Sequence, residues 1–239
     1  MKPAVRRLLG GVIVSCQAGK GNPLHGPENM KRMAMCALMG GADGIRACWP
    51  QDVAAIRAVC DKPIVGINKL TCSANILDAV YITPTVQAAT EVIEAGADVV
   101  ALDCTLRPDR SQEALRTLLT QLRERHPDVA IMADLATEEE ARFIDSTGLV
   151  DILSTTLAGY TRQSLGAIAN GPSIQLIRAI KRTCKLPINA EGSIHEREDL
   201  RAVLEAGADM VTIGSAITMP WEITRRFCVE NRSSSRRRF

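Results

Sequence analysis

Ala95-Gly96-Ala97-Asp98-Val99-Val100-Ala101-Leu102-Asp103 is the stretch from which the fold can be read. Glycine ends a helix in a left-handed conformation without the Cβ clash that other residues suffer there. The short apolar run that follows, led by two β-branched valines, has the length and composition of a buried strand. The same joint recurs. Gly40-Gly41-Ala42-Asp43 precedes Gly44-Ile45-Arg46, and Ala206-Gly207-Ala208-Asp209 precedes Met210-Val211-Thr212-Ile213-Gly214. Thr147-Gly148-Leu149-Val150-Asp151, before Ile152-Leu153-Ser154, is a degenerate copy. A second kind of joint alternates with it: Asp61-Lys62-Pro63 before Ile64-Val65-Gly66-Ile67, and Lys185-Leu186-Pro187 before Ile188-Asn189-Ala190. There proline stops the helix and enters the strand at its first residue.

Outward from these joints the pattern gives eight strands, near residues 12–16, 44–48, 63–68, 99–103, 129–134, 151–155, 187–190 and 210–214. Amphipathic helices, such as 112–125 and 196–206, lie between them. Short apolar strands alternating with helices imply a parallel sheet buried on both faces. Eight such units in 239 residues favour an α/β fold of the closed (β/α)8 TIM-barrel type in a single domain; an open doubly wound sheet is the alternative. The barrel is expected over residues 1–230, with 231–239 a basic, frayed tail. The connection from Ile67 to the helix near Thr85 is longer than a usual βα loop and carries Tyr81-Ile82-Thr83-Pro84, so it is assigned to the active-site mouth.

Composition narrows the function classes. Apolar residues make up 46 % and aromatics 3 %, which suits an aliphatic core and is poor in the stacking platforms of a single-strand nucleic-acid binder. The net charge of +2 rests on the tail, where Arg232, Arg236, Arg237 and Arg238 cluster; neither a nucleic-acid nor a membrane partner is assigned to it. The eight cysteines form no CxxC pair, as expected of reduced thiols in a cytoplasmic protein. Arg6-Arg7 before Leu8-Leu9-Gly10-Gly11-Val12-Ile13-Val14-Ser15-Cys16 faintly resembles a lipoprotein leader, but residues 12–16 are needed as the first strand.

In this architecture chemistry belongs to the C-terminal ends of the strands. Those ends hold Gln17, Arg46, Lys69, Asp103, Asp134, Thr155-Thr156, Glu191 and Gly214-Ser215, all expected to face a shared mouth, while the opposite strand ends lack a comparable set. Lys69 follows Gly66-Ile67-Asn68 among apolar and cationic neighbours that lower a lysine pKa, fitting it to remove a proton or to form a Schiff base. Glu191, across the barrel, either steadies that charge or hands the proton back. Gly192-Ser193 and Gly214-Ser215 stand where this fold binds phosphate. His25, His126 and His195 are isolated, no metal-ligand spacing occurs, and neither a metal nor another cofactor is expected.

The ordered set Val14-Ser15-Cys16-Gln17-Ala18, Gly44-Ile45-Arg46-Ala47, Gly66-Ile67-Asn68-Lys69, Tyr81-Ile82-Thr83-Pro84-Thr85, Ala101-Leu102-Asp103, Met132-Ala133-Asp134, Ser154-Thr155-Thr156-Leu157-Ala158-Gly159-Tyr160-Thr161, Ala190-Glu191-Gly192 and Gly214-Ser215-Ala216-Ile217-Thr218 resembles the N-acetylmannosamine-6-phosphate 2-epimerases over nearly the whole chain. The resemblance implies an isomerase that interconverts N-acetylmannosamine 6-phosphate and N-acetylglucosamine 6-phosphate in sialic-acid or amino-sugar breakdown. It implies Lys69 as the base and Glu191 as the group serving the ring-opened sugar or the returning proton. Gln17, Arg46, Asp134, Thr156 and Tyr160 would hold the sugar, and Gly192, Ser193, Gly214 and Ser215 the phosphate. The partner is a small sugar phosphate, and a homodimer is expected. Three positions depart from the family, which carries arginine where this chain has Leu70, Ser193 and Met219. The alternatives are another phosphate-binding barrel enzyme using Lys69 in a Schiff base, or a sugar-phosphate-binding protein without turnover.

Overall fold

A computed structural model describes residues 1–70, 77–108, 110–169 and 171–236; Cys72 and residues 237–239 lie outside them. In chain order the elements are α1 (Pro3–Leu8), β1 (Val12–Cys16), α2 (Pro27–Met39), β2 (Gly44–Cys48), α3 (Pro50–Arg57), β3 (Ile64–Ile67), α4 (Val86–Glu94), β4 (Val99–Asp103) and α5 (Gln112–Arg125). There follow β5 (Ala130–Asp134), α6 (Glu138–Thr147), β6 (Ile152–Ser154), α7 (Ile174–Thr183), β7 (Ile188–Glu191), α8 (Arg197–Glu205), β8 (Met210–Ile213), α9 (Ser215–Thr218) and α10 (Pro220–Arg236). The strands pair in parallel in sequence order, and β8 closes onto β1 through Val12–Val211 and its neighbours. The closed TIM barrel replaces the open-sheet alternative, and each strand lies within one residue of its expected bounds.

Two apolar layers follow from the alternation of side chains along each strand. Outward residues such as Ile45, Leu102, Ile131 and Leu153 pack under the helices. Inward residues Ile13, Val65, Val99, Ala130, Ile152 and Met210 fill the barrel, and α1 plugs its floor with Val5 and Leu8, both buried. The leader-like segment is therefore built into the core, with Cys16 buried in β1.

The repeated joints have a physical reason. Gly41, Gly96, Gly148 and Gly207 all take positive φ after a helix, as expected. The aspartate that follows accepts a hydrogen bond from the backbone N–H at the start of the preceding strand. Asp43 binds Val12 N at 3.0 Å, Asp98 binds Ile64 N at 2.8 Å, Asp151 binds Ile131 N and Asp209 binds Ile188 N, each at 2.9 Å. Three of them also hold a cation: Asp98 with Arg57 at 2.5 Å, Asp151 with Arg123 at 2.6 Å, and Asp209 with Lys181 at 2.9 Å. The barrel is thus pinned at its N-terminal rim once every two strands. This corrects the expectation that the strand starts lack polar clusters: all four aspartates there bind backbone, and three of them bind cations.

At the C-terminal end of the chain the helix α10 runs to Arg236, so residues 231–236, assigned to a frayed tail, continue a helix. Glu222 and Arg225, three apart and ion-paired at 2.5 Å, support its first turns. Among the described residues no helix is long and apolar enough to cross a membrane.

Candidate active site

The same alternation that fills the barrel with aliphatics brings polar side chains inward at its C-terminal layer. Register sets Arg46 beside Ser15, Asp134 beside Ser154, and Glu191 beside Thr212. Arg46 is 1 % exposed and forks onto Asp134, with contacts of 3.2 and 2.6 Å. It also reaches Glu191 at 3.2 Å. Burial alone would lower the pKa of Arg46, but Asp134 and then Glu191 outweigh it and move the guanidinium further up. Thr156 lies between the two carboxylates, 2.7 Å from Asp134 and 3.1 Å from Glu191. Beneath them Ser154, Asn189 and Thr212 form a buried chain of hydrogen bonds, Asn189 donating to Ser154 at 2.7 Å and accepting from Thr212 at 2.9 Å. Such a satisfied polar layer fixes the orientation of the groups above it.

Lys69 follows the end of β3 and is held there by its backbone. The chain returns alongside it in an antiparallel bridge between Lys69 and Ile82. Leu70 N donates to Tyr81 O at 3.1 Å and Thr83 N to Asn68 O at 2.9 Å. Trp49, in a left-handed conformation with φ 69°, donates its indole N–H to Lys69 O at 2.9 Å. Burial pushes the Lys69 ammonium below its ordinary pKa; Arg46 pushes the same way, while Glu191 and Asp134 oppose it. Burial likewise pushes the Glu191 carboxyl up, against the pull of Arg46. Both groups are therefore displaced toward their neutral forms, a pair poised to take and to give a proton.

Around this layer opens a cavity of about 510 Å³. The family model described as "Putative N-acetylmannosamine-6-phosphate epimerase" matches residues 30–233. The chain belongs to this family. The curated "Putative N-acetylmannosamine-6-phosphate 2-epimerase" of Caldanaerobacter subterraneus subsp. tengcongensis is 42 % identical over 223 residues, covering 93 % of this chain and 92 % of that one. Its namesake from Listeria monocytogenes is 37 % identical over 226 residues, covering 95 % and 94 %. Among solved structures, that of the N-acetylmannosamine-6-phosphate 2-epimerase from Clostridium perfringens superposes with a TM-score of 0.84 at 35 % identity, covering 94 % of each chain. A deoxyribose phosphate aldolase from Aeropyrum pernix, at TM-score 0.64 and 15 % identity over 90 % of this chain and 92 % of that one, shares the fold alone.

In this epimerase-family barrel Gln17, Arg46, Lys69, Thr156, Tyr160, Glu191, Gly192, Ser193, Gly214 and Ser215 all line the one cavity. Asp134 does not: it is fully buried behind Arg46, and Arg46 and Thr156 occupy its oxygens. Its contacts are with the guanidinium and the Thr156 hydroxyl, whereas it was expected among the residues facing the sugar. Asp103 also turns away from the mouth. It accepts from Thr105 N at 2.9 Å and Thr105 Oγ1 at 2.6 Å and meets Arg107 at 3.5 Å, tying down the loop after β4. Thr155 bonds the backbone of Glu191 and joins β6 to β7. Gln17 donates to Ser15 at 2.7 Å, and its Oε1 is buried with no partner among the described residues.

The β7–β8 side of the family's mouth is built from the bend at Gly192-Ser193 after β7 and the start of α9 at Gly214-Ser215 after β8. Gly192 and Ser193 take consecutive positive φ of 115° and 55°. The second is a serine in a region that disfavours side chains, a form of strain that clusters at binding sites. Met219 lines the cavity where arginine was expected from the resemblance, whereas Leu70 is 43 % exposed and outside the lining. The sequence reading missed His195, Glu222, Arg225 and Arg226, which also line the cavity. The signal was present: α10 follows β8 after only the short α9, so the first turns of α10 return to the rim of the mouth.

Proposed function

We propose that this barrel epimerises C2 of N-acetylmannosamine 6-phosphate, giving N-acetylglucosamine 6-phosphate. The observation that carries the reading is the lysine–glutamate pair on opposite walls of one cavity, Lys69 with a lowered and Glu191 with a raised pKa. In the ring-opened sugar the C2 proton lies next to the C1 aldehyde, which takes up the charge as an enolate. Neutral Lys69 removes that proton. Protonated Glu191 returns one to the other face, leaving a lysinium and a carboxylate that serve the reverse direction. Arg46 and Thr156 orient Glu191, and Asp134 keeps Arg46 in place. Gln17 accepts from the acetamido N–H, a role supported by its unpartnered Oε1, while Tyr160 closes over the sugar. The bend at Gly192-Ser193 and the start of α9 at Gly214-Ser215 receive the phosphate. General acid–base groups supply roughly 10²–10⁴-fold in rate, and positioning with enolate stabilisation supplies the remainder.

Proton NMR in D2O tests this. The wild type should exchange the C2 proton and build the gluco epimer, and Lys69→Ala should do neither. Glu191→Gln should still exchange C2 of the manno sugar while forming little gluco product, because the base survives and the opposing acid does not. Turnover without C2 exchange, or trapping of a Lys69–sugar adduct by borohydride, would replace the proton-transfer reading with a Schiff-base one. The chain is further assigned as a cytoplasmic homodimer. Seven unpaired thiols among the described residues support a reducing compartment, and the exposed Trp221 and Phe227 on α10 support self-association.

A further inference from the structure

The cavity offers a sugar phosphate more cationic residues than it can use. Arg46 is buried and already bound by two carboxylates. Lys69 is displaced toward its neutral form by burial. Arg225 is engaged by Glu222, its Nη2 at 2.5 Å and its Nε at 3.2 Å from one carboxylate oxygen. Arg226 differs from all three. It is half-buried on α10 and lines the cavity, and no carboxylate among the described residues pairs with it. Its partner is His195, with Nη2 2.8 Å from Nδ1. A guanidinium can only donate, so His195 Nδ1 accepts and carries no proton. The imidazole is therefore neutral in this arrangement and brings no charge to Arg226, while Glu222, which also feels Arg226, is hydrogen-bonded by Arg225. Ser215 Oγ stands 3.4 Å from the same Nδ1. Arg226 thus converges with the Ser215 hydroxyl at the start of α9 on a single nitrogen, at the side of the mouth formed by Gly192-Ser193 and Gly214-Ser215.

We propose that Arg226, oriented by His195, is the cation that binds the phosphate of the substrate, with Ser215 as its neighbouring donor. The proposal rests on the reading of the cavity as a sugar-phosphate site. A phosphate monoester carries about −1.5 to −2 charges near neutral pH, and a guanidinium fork is the side chain best matched to its oxygens. His195 is a positioning residue here: its Nδ1 fixes one guanidinium nitrogen and leaves the remaining donors free.

The test compares wild type, Arg226→Gln and Arg226→Lys in two assays: epimerisation kinetics, and calorimetric titration with inorganic phosphate and with N-acetylglucosamine 6-phosphate. Arg226→Gln should raise KM and weaken both ligands roughly ten- to a hundredfold, the usual scale of a charge-assisted contact, with kcat changed less than threefold. Arg226→Lys should recover most of the binding, since the charge returns without the fork. His195→Ala should raise KM less than Arg226→Gln does and leave kcat in place. Unchanged KM and unchanged phosphate affinity in Arg226→Gln, with epimerisation intact, would overturn the proposal and leave the epimerase reading standing. Phosphate binding lost in Arg226→Gln, in a protein that never epimerises, would uphold the anion site and remove the epimerase reading. Equal loss of kcat and binding in both variants, with a lowered melting temperature, would show a structural role and also overturn the proposal.

Discussion

Arg46 has two carboxylates to satisfy at the floor of the cavity: Asp134 is fully buried and Glu191 is 15 % exposed. A guanidinium that is 1 % exposed stays charged only because the fork onto Asp134 and the contact with Glu191 replace its hydration. Removing one partner of such a group leaves an uncompensated buried charge, which costs about 3–5 kcal/mol. Asp134→Asn keeps the shape of the side chain and removes its charge, so we expect urea unfolding to show a loss of about 3 kcal/mol. Activity should fall too, because Arg46 would then lean wholly on Glu191 and drive that carboxyl back toward ionisation. An activity loss with no stability change would mean that Asp134 acts on the sugar directly. At this scale the sequence was informative about which residues matter and less so about how. Asp134 ends an apolar run, as Lys69 and Glu191 nearly do, and that position at a strand end is what singles all three out in the sequence. Its service to Arg46 was not legible, because the two stand 88 positions apart on non-adjacent strands and no spacing rule reports a contact made across a barrel.

Among the elements, the repeat that revealed the fold is also a stabilising device. The glycines were readable because left-handed backbone selects them chemically. The aspartates beside them looked like incidental turn residues, yet each accepts an N–H from the first two residues of the preceding strand. That bond needs the two neighbouring strands to be paired before it has a partner, which is why periodicity alone did not disclose it. Asp98 shows what the device contributes, with Ile64 N at 2.8 Å and Arg57 at 2.5 Å on the same oxygen. Asp98→Ala strips the acceptor from a strand N–H and the partner from Arg57. A hydrogen bond to a charged group contributes about 1.5–3 kcal/mol, so a loss near 2 kcal/mol is expected in chemical unfolding. The site lies at the end of β3 remote from Lys69, so kcat and KM should match the wild type at a temperature where the variant stays folded. A large change in KM would show that the rim transmits strain along β3 to the mouth.

Over the whole molecule the two ends of the barrel have opposite relations to stability. The N-terminal rim holds pairs that support the fold, whereas the mouth, beside the supporting Arg46–Asp134 pair, holds two groups, Lys69 and Glu191, whose charged forms burial disfavours. Lys69 is the clearest case, since burial lowers its pKa. Well below its folded pKa the side chain is protonated in both the folded and the unfolded chain, and the folded state carries the full desolvation cost. Between the folded pKa and the ordinary value of 10.5 only the unfolded chain holds the proton, so stability rises with pH across that window. Lys69→Met keeps the length of the side chain and abolishes both the charge and the proton. We therefore expect it to be inactive yet more stable than wild type at neutral pH, by about 1 kcal/mol or roughly 2–4 °C in melting temperature. The rise in wild-type stability toward alkaline pH should flatten in the variant. Scanning calorimetry at several pH values decides it. A variant that melts lower than wild type at neutral pH would mean that Glu191 and Asp134 support the lysine cation more than burial opposes it. Lys69 would then wait in the mouth as an acid, and the proton transfer at C2 would have to begin from Glu191.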